Sequence, residues 1–186
     1  MAENNKTTTQ SRERRAPRND RTQLPKEEKQ FEELVINIDR VARVVKGGRR
    51  FRFKALVVVG DRKTKVGVGV AKGQDVQAAV AKATDIAKKN LITIPVVNDT
   101  IPHDIEVKVS GARVLLKPAA PGTGIIAGGV VRAIIGVTGI RNLLSKSLGS
   151  TNKVNIAYAT VDALKSLVPA DQWITAPKKR TAKKED

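Results

Sequence analysis

Among its 186 residues the chain has no cysteine, one histidine, one tryptophan, one tyrosine and three phenylalanines, and each scarcity closes a class of chemistry. Without thiols there can be no disulfide, thiolate nucleophile or cysteine-based zinc site. The single imidazole, His103, stands between Pro102 and Asp104 in a loop-like stretch. With no second histidine and only scattered carboxylates, no metal site is expected. The nearest downstream hydroxyl, Ser110, gives no sign of a convergent triad, and the chain reads as non-catalytic. Few rings also mean little from which to build a base-stacking platform for single strands, which leaves recognition by backbone charge and shape. No apolar run nears the roughly 20 residues that a spanning helix requires, and the polar N-terminal stretch lacks the apolar core of a signal peptide. A cytoplasmic protein without membrane contact is expected.

Acidic side chains are scarce as well, 18 Asp and Glu against 35 Lys and Arg, for a formal net charge of +17. That excess is self-repulsive and calls for a polyanionic partner. The same shortage decides how to read "PGTGIIAGG", residues 121–129, which lies between apolar runs like a turn from strand to helix. Gly122, Gly124 and Ala127 fit one form of the dinucleotide fingerprint, but that fingerprint needs an acid about 20 residues on to hold a ribose. No Asp or Glu occurs between Glu106 and Asp162. The mononucleotide loop fails too, because Val130 and Val131 stand where a lysine and a hydroxyl residue belong after Gly129. No nucleotide or other cofactor is expected, which disfavours a nucleotide-dependent enzyme. The glycines fit a tight turn, close packing against another protein, or an anion contact at a helix N-terminus.

What is present is β-type patterning and local positive charge. Val35–Ile38 and Val41–Val45 run into Lys46-Gly47-Gly48-Arg49, a hairpin signal. The returning strand places Phe51, Phe53, Ala55, Val57 and Val59 on one face and Arg50, Arg52 and Lys54 on the other. Gly60-Asp61-Arg62-Lys63 predicts a turn, Val66, Val68 and Val70 a third strand, and Val76, Ala79, Val80, Ala83 and Ala87 the apolar stripe of a helix. Further on, Ile105–Val109 and Arg113–Leu116 predict two strands, Gly129–Val137 a helix and Ile140–Ser147 another strand. Asn152 should then cap a helix with Val154, Ala157, Tyr158, Val161 and Leu164 inward. The expectation is an α+β chain of two small sheet-plus-helix domains. Residues 1–30 form a disordered arm, 31–97 the first domain, 98–172 the second and 173–186 a basic tail.

From Arg40 to Lys54 there are seven basic residues (Arg40, Arg43, Lys46, Arg49, Arg50, Arg52 and Lys54) and no acid. Arg62, Lys63, Lys65 and Lys72 extend the charge. Like charges on one sheet face repel, and a phosphate backbone would relieve that repulsion, with Gly47 and Gly48 letting main-chain N–H groups approach oxygens. The hairpin is the candidate nucleic-acid surface.

Four stretches in one order, "VARVVKGGRRFRFKALVVVGD", "KVGVGVAKG", "GTGIIAGGVVRAI" and "GSTNKVNIAYATVDAL", together resemble the family of bacterial small-subunit ribosomal protein five, over about residues 31 to 168. The resemblance implies a first domain similar to double-stranded RNA-binding domains and a second with a left-handed β-α-β crossover. It implies a structural protein bound to small-subunit ribosomal RNA and touching ribosomal proteins four and eight. The hairpin tip, Lys46 to Arg49, would reach RNA near the decoding region and the spectinomycin pocket, with Arg40 facing the path by which mRNA enters. Gly122, Thr123, Gly124 and Arg132 would form the contact with protein four, where changes alter decoding accuracy. A free regulator of double-stranded RNA is the alternative, separable by whether the cellular pool sediments with ribosomal subunits.

Overall fold

The computed structural model describes residues 31–169 and 172–173, so the arm at 1–30 and the tail beyond Trp173 lie outside the described residues. Two strands, β1 (Glu32–Val45) and β2 (Gly48–Gly60), form a long antiparallel hairpin closed at the Val45–Gly48 pair, with Lys46 and Gly47 as its turn. The two runs read from the sequence are one strand. A bulge between Val35 and Asn37 changes the phase of the alternation, since Val35 faces Val57 while Asn37 faces Leu56. Strand β3 (Lys65–Gly73), helix α1 (Val76–Lys89) and the two-residue β4 (Ile92–Thr93) complete a sheet ordered β1-β2-β3-β4.

Helix α1 lies unusually close to this sheet. A Cβ on Gly67 would fall on the Ala87 carbonyl oxygen, one on Gly69 on that of Ala83, and one on Gly73 on the Ala79 backbone. Only hydrogen fits there, and only alanine fits opposite, so the buried line of α1 is Ala79, Ala83 and Ala87 with Thr84 beside it. Val76, expected on the inward stripe, is exposed at the first turn.

The second sheet contains β5 (Ile105–Val109), β6 (Ala112–Pro118), β7 (Ile125–Ile126) and β8 (Leu143–Gly149), with α2 (Gly129–Gly136) and α3 (Lys153–Lys165). Its order is β5-β6-β8-β7, and β7 and β8 are parallel neighbours joined through α2, a β-α-β unit. The strand expected at Ile140–Ser147 starts later. The backbone N–H groups of Arg141 and Asn142 both donate to the Asp99 carbonyl, at 2.9 and 3.0 Å, and cannot serve a ladder. Asn152 caps α3 as expected, its side chain accepting from the Val154 N–H at 3.1 Å. The buried surface of α3 is wider than one stripe, including Ile156, Ala159, Thr160 and Ala163 as well as Ala157 and Leu164, while Tyr158 points outward.

That width has a cause in the core. Ala55, Val57 and Val59 of β2 face α1, but Leu56 and Val58, on the opposite face with Val66 and Val68 of β3, join the core of the second sheet. Ile156, Ala163 and Leu164 of α3 and Val131, Ile134 and Ile135 of α2 belong to that same core. The first sheet is therefore covered on both faces, and "ALVVV" at 55–59 is an unbroken apolar run for that reason.

Candidate nucleic-acid interface

Beyond the covered part of the first sheet the β1–β2 hairpin projects on its own, and its alternation continues with charge in place of hydrocarbon. Register puts Arg43 opposite Arg50, Val41 opposite Arg52 and Asp39 opposite Lys54, with Lys72 of β3 beside Lys54. Arg43, Arg50, Arg52, Lys54 and Lys72 therefore share one face across three strands, the face that Leu56 and Val58 continue at the buried end. Arg43, Arg50, Arg52 and Lys72 line a groove there of about 200 Å³.

The charges on this face are not equally free. Lys54 pairs with Asp39 at 2.8 Å, and Asp39 also accepts from the Asn37 side chain at 2.7 Å. The Lys54 and Asn37 contacts hold the Asp39 carboxyl below its usual range. Asn37 in turn accepts from Lys153 Nζ, at the start of α3, at 2.7 Å, which ties the hairpin to the second unit. Among the described residues Arg43, Arg50, Arg52 and Lys72 have no acid within ion-pair distance.

Arg40 and Arg49 occupy the opposite face, opposite Phe53 and Val44. Arg40 is held against the hairpin, its guanidinium carbon 3.9 Å from the Phe51 ring centroid, although Phe51 is 49% exposed. Among the described residues the tip is bare, with Val44 76% exposed, and a Cβ on Gly47 or Gly48 would meet nothing. Of the two glycines only Gly48 has a conformation that side chains resist, with φ of +138°.

Arg62, Lys63 and Lys65 are not beside the tip. Arg62 and Lys63 belong to the turn between β2 and β3 and Lys65 opens β3, at the far end of a 13-residue strand, about 40 Å away at 3.3 Å per residue. Arg62 is anchored to Glu32 through two hydrogen bonds of 2.5 and 2.7 Å, which keep the Glu32 carboxyl below its usual range. Asp61 organises this turn, one carboxylate oxygen accepting from the N–H groups of Lys63, Thr64 and Lys65 at 2.8, 2.9 and 2.9 Å.

The stretch at 121–129 is a loop built on Asn142. The buried Asn142 side-chain oxygen accepts from the N–H groups of Gly122 and Gly124, both at 3.1 Å, and Leu143 N–H donates to the Gly124 carbonyl at 3.1 Å. Gly122 and Gly124 have φ of +92° and +73°, the left-handed region that glycine supplies without strain. A Cβ on either, or on Gly128 or Gly129, would meet nothing among the described residues, so these positions leave an open surface there. Exposed Arg132, on α2, reaches back to the Ile125 carbonyl at 3.4 Å. Nothing in the sequence singles out Asn142 or Asp39, because each acts on residues that only the fold brings near.

No group of His, Cys, Asp and Glu able to hold a metal occurs among the described residues, and no described helix is long and apolar enough to cross a membrane. The model of the ribosomal protein S5 N-terminal domain matches residues 31–95, and that of the ribosomal protein S5 C-terminal domain matches residues 107–175. Three curated relatives from Thermus thermophilus, each named Small ribosomal subunit protein uS5, are 54% identical over 140 residues, covering 75% of this chain and 86% of theirs. With both family models matched in order and over most of its length, the chain belongs to the ribosomal protein S5 family.

Proposed function

We propose that this chain is a non-enzymatic structural constituent of the cytoplasmic small ribosomal subunit that grips ribosomal RNA with the β1–β2 hairpin. The observation that carries this reading is the convergence of Arg43, Arg50, Arg52 and Lys72 on one face with no acid among the described residues paired to any of them. Phosphates are the natural counter-charge for such a face, and guanidinium forks hold their oxygens two at a time. Lys46, Gly47, Gly48 and Arg49 form the leading edge, where a bare main chain approaches RNA closely. Lys54, already paired with Asp39, contributes less. Arg40, fixed on Phe51, presents its charge to the other side of the hairpin, toward the path by which mRNA enters.

In the same reading the loop around Gly122, Thr123 and Gly124, together with Arg132, meets ribosomal protein four, and protein eight is a further neighbour. Support comes from the open space over Gly122, Gly124, Gly128 and Gly129, which none of the described residues fills. Residues 31–97 act as the RNA-holding domain and 98–172 as the protein-facing one, so that together they fix RNA geometry and decoding accuracy.

The test is equilibrium binding of the full chain to small-subunit ribosomal RNA across a salt series. Replacing Arg50 and Arg52 together by Ala is expected to weaken binding and to flatten the plot of log K against log salt by about 0.7 to 0.9 for each phosphate that is no longer neutralised. An unchanged slope and affinity would remove the hairpin from the interface.

A further inference from the structure

Helix α1 covers only part of the first sheet. Its alanines pack on β2 and β3, and the helix side of the edge strand β1 is left open. Register sets Glu33, Val35 and Ile38 of β1 opposite Val59, Val57 and Ala55 of β2, the residues that face α1. Val35 and Ile38 therefore point to the helix side, yet both are exposed, as is Val76 in the first turn of α1. Between strand and helix runs a groove of about 520 Å³, with Glu33, Val76, Gln77, Val80, Thr84 and Asp85 in its walls.

Two features mark this groove as the seat of a further segment. Thr84, 5% exposed, keeps its hydroxyl out of water with no hydrogen-bond partner among the described residues. An unpaired hydroxyl held away from water is unfavourable, and the main chain of a segment laid in the groove would supply the missing partner. The charges in the walls are the second feature. Glu33 pairs with Lys88 at 3.0 Å, whereas Asp85 has no cation within ion-pair distance among the described residues. An apolar groove with a free acid repels phosphate and suits a segment that carries one apolar side chain with cations beside it.

Residues 21–30, "RTQLPKEEKQ", have that composition. Leu24 is the one large apolar side chain between Ala2 and Gln30, and Arg21, Lys26 and Lys29 flank it. The stretch joins the described chain at Phe31, which packs against the α1-facing core two residues before Glu33 enters the groove wall. Leu24 precedes Phe31 by seven positions, a reach of up to about 23 Å, while the run from Val76 to Lys88 is about 18 Å long. Leu24 can therefore be set down anywhere along the groove. We propose that the seam between α1 and β1 is the docking site of the chain's own residues 21–30, with Leu24 seated against Val76, Val80 and Val35, a cation at Asp85 and main chain at Thr84. Because the segment is tethered at the mouth of the groove, its effective concentration is on the order of millimolar. A contact too weak to hold the same peptide free in solution is then enough to fill the seam, and no other molecule competes on equal terms. The docking needs no RNA and stands or falls apart from the hairpin's role.

The test exploits the absence of native cysteine. In the full chain, Gln23→Cys combined with Gln77→Cys should form an intramolecular disulfide under mild oxidation roughly tenfold faster than Gln23→Cys combined with Lys82→Cys, because a docked segment is concentrated at the groove. Gln77 and Lys82 are both exposed on α1, but only Gln77 lines the groove. Adding Leu24→Asp should bring the two rates together. In the absence of any cysteine, trypsin should cut after Lys26 and Lys29 several-fold more slowly in the unsubstituted chain than in the Leu24→Asp chain. Should a cysteine pair unfold α1, the trypsin comparison decides alone, since Leu24 lies outside the sheet and helix that form the groove. Equal disulfide rates at Gln77 and Lys82 in folded chains, or tryptic cutting indifferent to Leu24, would overturn the docking. Disulfides formed between chains in place of those within one would overturn it too, and would assign the groove to a second copy.

Discussion

Two glycine-rich stretches of this chain look alike on paper and work in opposite ways. In "KVGVGVAKG" the glycines of β3 are defined by what lies above them, the backbone of α1, and a single methyl group has nowhere to go. In "PGTGIIAGG" none of the described residues lies above any of the glycines, and two of them are needed for the sign of φ alone. The first set is an internal packing device and the second an external surface with a fixed shape. The turn between β2 and β3 gives a third solution, because Arg62 reaches φ of 55° without glycine while the Asp61 carboxylate fastens the residues that follow.

The largest effect should come from Gly69→Ala. The added Cβ would meet the Ala83 carbonyl and the Ala87 nitrogen, both main-chain atoms of α1 that cannot turn aside. Separating helix from sheet should cost about 3 kcal/mol, a fall in melting temperature of roughly 10 °C for a chain of this size. A melting temperature within about 2 °C of the parent, less than 1 kcal/mol on the same scale, would mean that α1 is not held this close, and the contrast with the second stretch would collapse.

Asp61→Ala removes an acceptor shared by three N–H groups and should cost about 2 kcal/mol at neutral pH. Burial by itself would raise the Asp61 pKa, but the N–H donors of Lys65, Lys63 and Thr64 outweigh it and the folded value lies below the ordinary one. A carboxyl with a depressed folded pKa contributes stability above its unfolded pKa, about 4, and loses that contribution as pH falls through the folded value. Parent and variant stabilities should therefore converge as the medium is acidified below about pH 4. A gap that persisted there would mean that the charge on Asp61 is irrelevant.

The smallest effects should come from the open loop, and they separate conformation from packing. Gly124→Ala should cost about 1 kcal/mol through its left-handed backbone, and Gly124→Asn less, because asparagine tolerates that region. Gly128→Ala should change stability by no more than about 0.5 kcal/mol, since Gly128 has an ordinary φ of −62° and free space around it. If the surface is a protein contact, that silent substitution should still weaken association with ribosomal protein four, as measured by calorimetry. A strongly destabilised Gly128→Ala chain would show that the loop packs internally.

Much of this is legible in the residues. Period-two alternation locates β2, β3, β5 and β6, and three-to-four spacing locates α1 and α3, because these elements are long and half-covered. The basic face of the hairpin follows from the same alternation carried past Ala55. Other features depend on neighbours distant in sequence. Two-residue strands such as β7 have no period to detect, and its residues pair only once Leu143 and Leu144 arrive. Asp39 and Glu32 neutralise Lys54 and Arg62 across 15 and 30 positions, so counting charges along the chain overstates what the surface offers. Proximity in sequence groups Arg62 and Lys63 with the hairpin, and a strand of 13 residues moves them to the other end of the sheet. The reverse holds for Arg141, which lies about 80 residues from Lys63 yet shares a cleft with it.

The two-sided covering of the first sheet bears on the order of events at synthesis. Residues 31–95 are synthesised before any of Val114, Leu116, Val131, Ile134 or Leu164 exists, and those later residues form the other wall of the pocket around Leu56, Val58, Val66 and Val68. The early sheet can acquire α1 and close one face, but its other face waits, apolar and wet, for roughly the time of another 70 residues, several seconds at typical elongation rates. A nascent chain in that interval is a half-finished sandwich with an adhesive side, the kind of surface that holdase chaperones recognise. The basic hairpin at the outer end of the same strands keeps a high positive charge next to that surface, and like-charged neighbours emerging from one polysome would repel each other before their exposed valines could meet.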